Sequence, residues 1–187
     1  QKQTCDNAGG NCNVNAWGAY DSSRVAIWKR YYDTFQLKSP GSYCILEHFA
    51  VNQEETDLAN YGMLLWGNMN YNYNQASMGY STGWDFSYGT STARGWTNPC
   101  LVTYMESHDE ERLMYKNIQY GNSSGSYNIK DTATALKRQE LCAAFLFTIP
   151  GPKMFWQFGE LGYEYSLNSS PDGPNNTHRP RDPHPDR

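Results

Sequence analysis

The chain has 187 residues, of which 39% are hydrophobic and 18% charged, and its formal net charge is −4. This length suffices for one core of ordinary size. The mild acidity and the scattered Lys and Arg argue against a nucleic-acid partner, which would require clustered basic residues. No apolar run approaches the length of a membrane span, and no signal peptide precedes the first element. Because the sequence starts at Gln1 without Met, we expect it to be processed or cut from a longer protein.

The first half of the chain predicts helices that alternate with short strands. A loop over 1–14 precedes an aromatic stripe at helical spacing, which predicts a helix packed on a sheet and ended by Ser39-Pro40-Gly41. A strand over 43–47, a short helix over 54–60 and a brief apolar run over 63–66 follow. The aromatic residues of the stripe are Trp17, Tyr20, Trp28, Tyr31 and Phe35.

The second half continues the alternation. An Asn- and Tyr-rich stretch over 68–80 predicts a helix within a long polar surface, and an apolar run over 101–105 predicts a buried strand. After a Gly/Ser-rich loop, Asp131 caps a helix over 132–148, and a buried strand is predicted over 153–158. Residues 169–187 have no core-forming pattern and predict an irregular tail.

Alternating helices and strands indicate right-handed βαβ units and therefore a parallel sheet. The predicted fold class is α/β. Four strands correspond to half of an eight-stranded barrel or to a small doubly wound sheet.

Two of the predicted strands end on carboxylates. Glu47 ends the strand over 43–47, and His108 and Asp109 come just after the strand over 101–105. Catalytic residues of parallel α/β folds lie at the C-terminal ends of strands, and a pair of carboxylates suits acid/base work on a glycosidic bond. The alternative is that His108 and Asp109 only begin a helix.

Three motifs in this order resemble those of the α-amylase family of retaining glycoside hydrolases. They are Glu47 after Cys44-Ile45-Leu46, the run Glu106-Ser107-His108-Asp109, and Gln157-Phe158-Gly159-Glu160-Leu161-Gly162. The resemblance covers essentially the whole chain, 1–187. It implies the C-terminal half of a TIM-type (β/α)8 catalytic barrel, approximately strands 5 to 8 with their helices.

The resemblance also implies a role for each site residue. Glu47 matches the general acid/base, Asp109 the carboxylate that stabilises the oxocarbenium-like transition state, and His108 a residue that hydrogen-bonds the same sugar. The implied substrate is an α-glucan oligosaccharide or polysaccharide. No cofactor is expected in this chain, and no metal site either, because the calcium ligands usual in the family would lie in other parts of a full-length protein. An extracellular or periplasmic location suits the family.

The sequence departs from the family at the nucleophile. The family carries an Asp in a Gly-Phe-Arg-x-Asp context, and the nearest similar residues, Asp85 and Asp182, do not end predicted strands. We therefore expect a fragment that lacks the nucleophile strand and, in isolation, does not hydrolyse starch at a normal rate. We also expect self-association through exposed sheet edges.

A non-catalytic carbohydrate-binding module is the main alternative, because the 15 Tyr and 6 Trp residues offer faces on which sugars stack. A flavodoxin-like cofactor domain is disfavoured because no Gly-rich phosphate loop follows a predicted strand. The tryptophans that could line subsites are predicted to pack instead. They are Trp66, Trp84 and Trp96.

Several polar and sulfur-bearing residues have structural predictions. Glu110 and Glu111 are predicted to decorate a solvated helix start, and Arg112 to form a surface ion pair or to steady Asp109. His48 is predicted equally to lie near substrate or to be a hydrogen-bonded core histidine. Among the cysteines, Cys5 and Cys12 are predicted to form a disulfide in an oxidising compartment. Cys44 and Cys142 are predicted to fill the core as free thiols.

Overall fold

The structure is a computed structural model that describes residues 17–167. The predicted tail over 169–187 and the loop that carries Cys5 and Cys12 lie outside this range. The described helices are α1 (Ser22–Lys38), α2 (Asn52–Tyr61), α3 (Asn70–Met78), α4 (Leu113–Tyr120) and α5 (Thr132–Thr148). The described strands are β1 (Ile45–Leu46), β2 (Leu64–Asn68), β3 (Leu101–Tyr104), β4 (Ser123–Ser124), β5 (Tyr127–Asn128) and β6 (Lys153–Met154).

Four of the strands form a parallel sheet in the order β1-β2-β3-β6, so the predicted α/β class is confirmed. In the first pair, Ile45 lies opposite Leu64, and in the last pair Thr103 lies opposite Lys153. The strands β4 and β5 form a separate antiparallel hairpin. No helix of the described range is both long and apolar enough to cross a membrane.

The described residues divide into two compact units, which comprise 17–67, 90–102 and 150–152 in the first, and 68–89, 103–149 and 153–167 in the second. The first unit has a core built from α1, α2, β1 and β2. Its fully or nearly buried members are Val25, Leu46, Leu58, Ala59, Met63, Leu65, Trp96 and Leu101.

The core of the second unit lies where α3, α4 and α5 pack on one another. Tyr73 is completely buried and stacks on Phe86, with ring centroids 4.5 Å apart. The other buried apolar members are Met69, Met105, Leu113, Cys142 and Leu146. Cys142 therefore fills the core as predicted, while Cys44 packs at the border of the first core.

The aromatic stripe packs only in part as predicted, because Trp28 contacts the first core whereas Tyr31 is 64% exposed and Phe35 is 45% exposed. The face of α1 that contacts the core carries Val25, Trp28 and Tyr32, spaced three and four residues apart. Aromatic residues occupy both faces of this helix, so their spacing alone does not identify the buried one.

Two other elements differ from prediction. The hairpin was not predicted, and two helices, α4 and α5, separate β3 from β6 where the predicted alternation has one. The strand β6 ends at Met154 rather than continuing to Phe158, which has a left-handed backbone at φ 66°. Such a conformation is incompatible with an extended strand, although the apolar side chains around it resemble one.

Candidate functional site

The turn after β3 carries the first candidate site. All four residues of β3 are buried, whereas His108 and Asp109 lie at the surface with side chains 43% and 49% exposed. The His108 Nε2 atom is 3.4 Å from Asp109 Oδ2, and the imidazole ring lies 6.1 Å from the indole ring of Trp156. The second unit thus brings a histidine, a carboxylate and an aromatic ring together.

The buried side chain of Asn70 links the two ends of this turn by hydrogen bonds. The Nδ2 atom of Asn70 donates to the carbonyl of Met105 at 2.7 Å and to that of Glu111 at 2.8 Å. These two carbonyls bracket the residues that carry His108 and Asp109. Because one side chain binds both ends of the turn, the distance between these ends is constrained without a bound ligand.

The side chain of Glu110 forms hydrogen bonds inside the turn. Its carboxylate accepts hydrogen bonds from Ser107 Oγ and Asn68 Nδ2, and the hydroxyl of Tyr104 lies 3.5 Å away. Ser107 Oγ in turn accepts the backbone N–H of Asp109 at 3.2 Å. The orientation of Asp109 is therefore supported by a hydrogen-bonded chain that ends on β2.

A buried ion pair closes the same segment. Glu106 and Arg112 are almost completely buried, and Arg112 Nη1 donates to Glu106 Oε2 at 3.2 Å and to the carbonyl of Gln157 at 2.8 Å. Glu106 also accepts the Leu113 N–H at 2.7 Å. Burial raises the pKa of Glu106, and the Leu113 N–H and the Arg112 guanidinium oppose that rise. The prediction of a surface ion pair for Arg112 was wrong.

Glu111 also makes structural hydrogen bonds and is not a solvated residue of a helix start. Its carboxylate accepts Ser166 Oγ at 2.5 Å and the Leu167 N–H at 3.0 Å. The helix α4 begins only at Leu113, so Glu110 and Glu111 lie in the turn before it. The prediction that both decorate a solvated helix start was therefore wrong.

The loop after β6 approaches this turn closely. A Cβ atom placed on Gly159 would lie 3.1 Å from both Glu106 Oε2 and a ring atom of Phe155, so the loop fits closely around the buried carboxylate. The Gly159 carbonyl accepts Gln139 Nε2 at 2.9 Å. These contacts position the loop that presents Trp156.

Glu47 belongs to the first unit. It follows the end of β1 directly and is exposed. The next residue, His48, is oriented inward, with Nε2 2.7 Å from Glu54 Oε1. The structure thus places Glu47 at a strand end as predicted. Of the two roles predicted for His48, its contacts match the hydrogen-bonded core histidine.

Glu54 is the centre of a buried polar network. It is fully buried and accepts two hydrogen bonds from Arg24, at 2.6 and 2.9 Å, and one from the Asp21 N–H at 2.7 Å. Burial raises the pKa of Glu54, but Arg24, the Asp21 N–H and His48 outweigh it, so the pKa lies below its usual value. This network fixes the chain next to Glu47.

The three tryptophans have different environments. Trp96 is buried in the first core, and its Nε1 atom donates to Asn52 Oδ1 at 3.1 Å, so its predicted packing role is confirmed. Trp66 is half-buried. Trp84 is exposed, contrary to the packing role predicted for it.

Sequence reasoning missed the residues that support the site. Asn70 acts through carbonyls 35 and 41 residues later in the chain, and Glu106 acts through Arg112 and Leu113 once the turn has buried all three. Trp156 was placed inside a predicted strand. Its only sequence signal was its position just before the Gln157–Gly162 motif.

No protein-family model matches the sequence, and no significant match exists among curated proteins. The resemblance to the α-amylase family therefore rests on the three motifs and stays a prediction.

Proposed function

We propose that this chain takes part in the hydrolysis of α-glucosidic bonds in starch-like α-glucans by a retaining mechanism. The observation that supports the proposal is the exposed pair of His108 and Asp109 at the end of a buried parallel strand. The turn that carries Asp109 is held by buried hydrogen bonds on both sides, so its carboxylate is preorganised. Catalysis requires such preorganisation, whereas a residue that only begins a solvated helix has no need of it.

Each residue has a distinct part in the proposed reaction. Glu47 donates a proton to the leaving glycosidic oxygen and later accepts one from water. Asp109 accepts hydrogen bonds from sugar hydroxyls and stabilises the positive charge of the oxocarbenium-like transition state. His108, 3.4 Å from Asp109, donates to a hydroxyl of the same sugar.

Retention of stereochemistry requires a second carboxylate as nucleophile, about 5 Å from the acid/base. The resemblance assigns it to a Gly-Phe-Arg-x-Asp segment, which this sequence does not contain. In the proposal, such a segment joins the present strands as part of one (β/α)8 barrel, in an extracellular or periplasmic enzyme.

A non-catalytic carbohydrate-binding module is the second candidate. It is favoured by the exposed rings of Trp84 and Tyr71, because large exposed aromatic side chains are typical of binding surfaces. In that case Glu47 and Asp109 would only hydrogen-bond a sugar.

The test compares single substitutions in a polypeptide that joins this chain to a segment carrying the nucleophile motif. Glu47→Gln is expected to lower kcat for maltoheptaose by about 10²- to 10⁴-fold, because the acid/base is lost, while leaving affinity within a few-fold. Asp109→Asn is expected to lower kcat as well. The matched control is Glu140→Gln, which neutralises an exposed carboxylate on α5.

The outcomes separate the two candidates. Unchanged hydrolysis in the Glu47→Gln variant would remove this residue from the reaction. Binding of maltoheptaose without hydrolysis in the joined, folded polypeptide would favour the binding module.

A further inference from the structure

The segment over 68–89 has a composition that the strand-end site does not explain. It contains a single charged residue, Asp85, and is otherwise rich in amides, hydroxyls and aromatic rings. A surface of this composition suits a neutral polyhydroxylated ligand, which offers both hydrogen-bonding groups and apolar ring faces.

The aromatic residues of this segment divide into a buried and an exposed set. Tyr73 and Phe86 stack on each other inside the second core. Tyr71 and Trp84, in contrast, are 61% and 52% exposed, and they are the most exposed members of a set that also includes Tyr80 and Tyr88. Core packing therefore explains the first pair and leaves the second pair without a structural reason.

The turn that carries Trp84 is held against α3. Asn72 Nδ2 donates to the carbonyl of Gly83 at 3.0 Å and to that of Asp85 at 2.7 Å. Gln75 Nε2 donates to the carbonyl of Thr82 at 3.1 Å. Side chains of one helix thus fix the backbone on both sides of Trp84.

Gly83 brings this turn directly onto the ring of Tyr71. A Cβ atom placed on Gly83 would lie 2.6 Å from Tyr71 Cε1, and the residue has φ +72°, a left-handed backbone conformation that favours glycine. Gln75 Nε2 also donates to the Tyr71 hydroxyl at 3.3 Å, which orients the ring. The ring of Tyr71 therefore lies against the residue that directly precedes Trp84.

We propose that Tyr71 and Trp84 form a carbohydrate-binding platform on which pyranose rings of a neutral glucan stack. That the glucan is α-linked rests on the proposed function, whereas its carbohydrate nature follows from the platform itself. Because the turn is already held in place, little conformational entropy is lost on binding. The carboxylate of Asp85, which accepts the Ser87 N–H at 2.9 Å, is an adjacent acceptor for sugar hydroxyls.

The experiment measures binding of the full 187-residue chain to soluble glycogen, maltoheptaose, cellohexaose and laminarin by affinity electrophoresis and titration calorimetry. Trp84→Ala and Tyr71→Ala are each expected to weaken binding by about five- to tenfold, and Trp84→Phe by less because a ring remains. The matched control is Tyr127→Ala, which removes a ring that is 50% exposed on the hairpin. Circular dichroism spectra and melting temperatures verify that each variant is folded.

The outcomes distinguish this inference from the proposed function. Weaker α-glucan binding in Trp84→Ala but not in Tyr127→Ala supports the platform. Binding of only the β-linked glucans, still dependent on Trp84, supports the platform and contradicts the proposed α-glucan substrate. Unchanged affinity in the folded double variant Tyr71→Ala/Trp84→Ala, or no binding of any of the four glucans by the folded wild-type chain, overturns the platform.

Discussion

At the residue scale, the charged groups with the largest structural effect are the buried ones. Arg112 joins the turn after β3 to the loop after β6, because one guanidinium contacts both Glu106 and the Gln157 carbonyl. It also lies over the ring of Tyr163, 5.1 Å from the centroid. Removal of either charge leaves the other buried without its counter-charge.

We expect Arg112→Met to lower the free energy of unfolding by about 3–5 kcal/mol, because Glu106 would lose its buried counter-charge. Urea denaturation measures the change. Pairing this substitution with Glu106→Gln should recover part of the loss, since no uncompensated charge then remains. A double variant less stable than Arg112→Met would argue against charge burial as the cause.

Glu54 predicts a pH dependence of stability. Its pKa in the folded protein lies below the usual 4.5, so its stabilising contribution is full above pH 4.5 and is lost as the pH falls through the folded pKa. We expect the stability difference between the parent and Glu54→Gln to shrink on acidification below pH 4.5. A difference that grows with acidification would refute the prediction.

At the element scale, α5 shows how local chemistry defines a helix. Asp131 lies at its N-cap and accepts the Thr134 N–H at 3.0 Å, and the helix then runs over Thr132–Thr148 as predicted. The cap satisfies a backbone donor that has no partner within the helix.

Asp131→Ala is expected to lower the free energy of unfolding by about 1 kcal/mol, because this hydrogen bond and the favourable charge at the helix start are lost. Thermal melting followed by circular dichroism measures the effect. Asp131→Asn, which keeps the capping oxygen, should retain most of the stability. Equal losses in both variants would contradict a capping role.

At the scale of the whole molecule, β1 and β6 are the two outer strands of the sheet within residues 17–167. Ile45 on the edge strand β1 is 49% exposed. An apolar edge strand offers unpaired backbone groups to a second copy of the chain, which is the physical basis of the self-association predicted from the sequence.

We therefore expect the average mass from light scattering to rise with protein concentration. Ile45→Lys should reduce this rise, because a charged side chain on an edge strand disfavours pairing. Lys130→Ile, at an exposed position before α5, is the control for added surface hydrophobicity. A clean monomer at high concentration would contradict self-association.

Elements whose signals are local were predictable from the amino-acid pattern. The apolar run that became β3 and the Asp131 cap of α5 depend on residues within one element, so pattern and capping chemistry identified them. The positions of Glu47, His108 and Asp109 just after strands followed from the same patterns.

Which groups are buried depends on the tertiary structure. Val25 rather than Tyr31 contacts the core, although both lie on an aromatic-rich helix. Arg112 is buried because Gln157, 45 residues later in the chain, supplies a carbonyl beside Glu106. Burial and long-range hydrogen bonds depend on packing between distant segments, and no local spacing in the sequence encodes that packing.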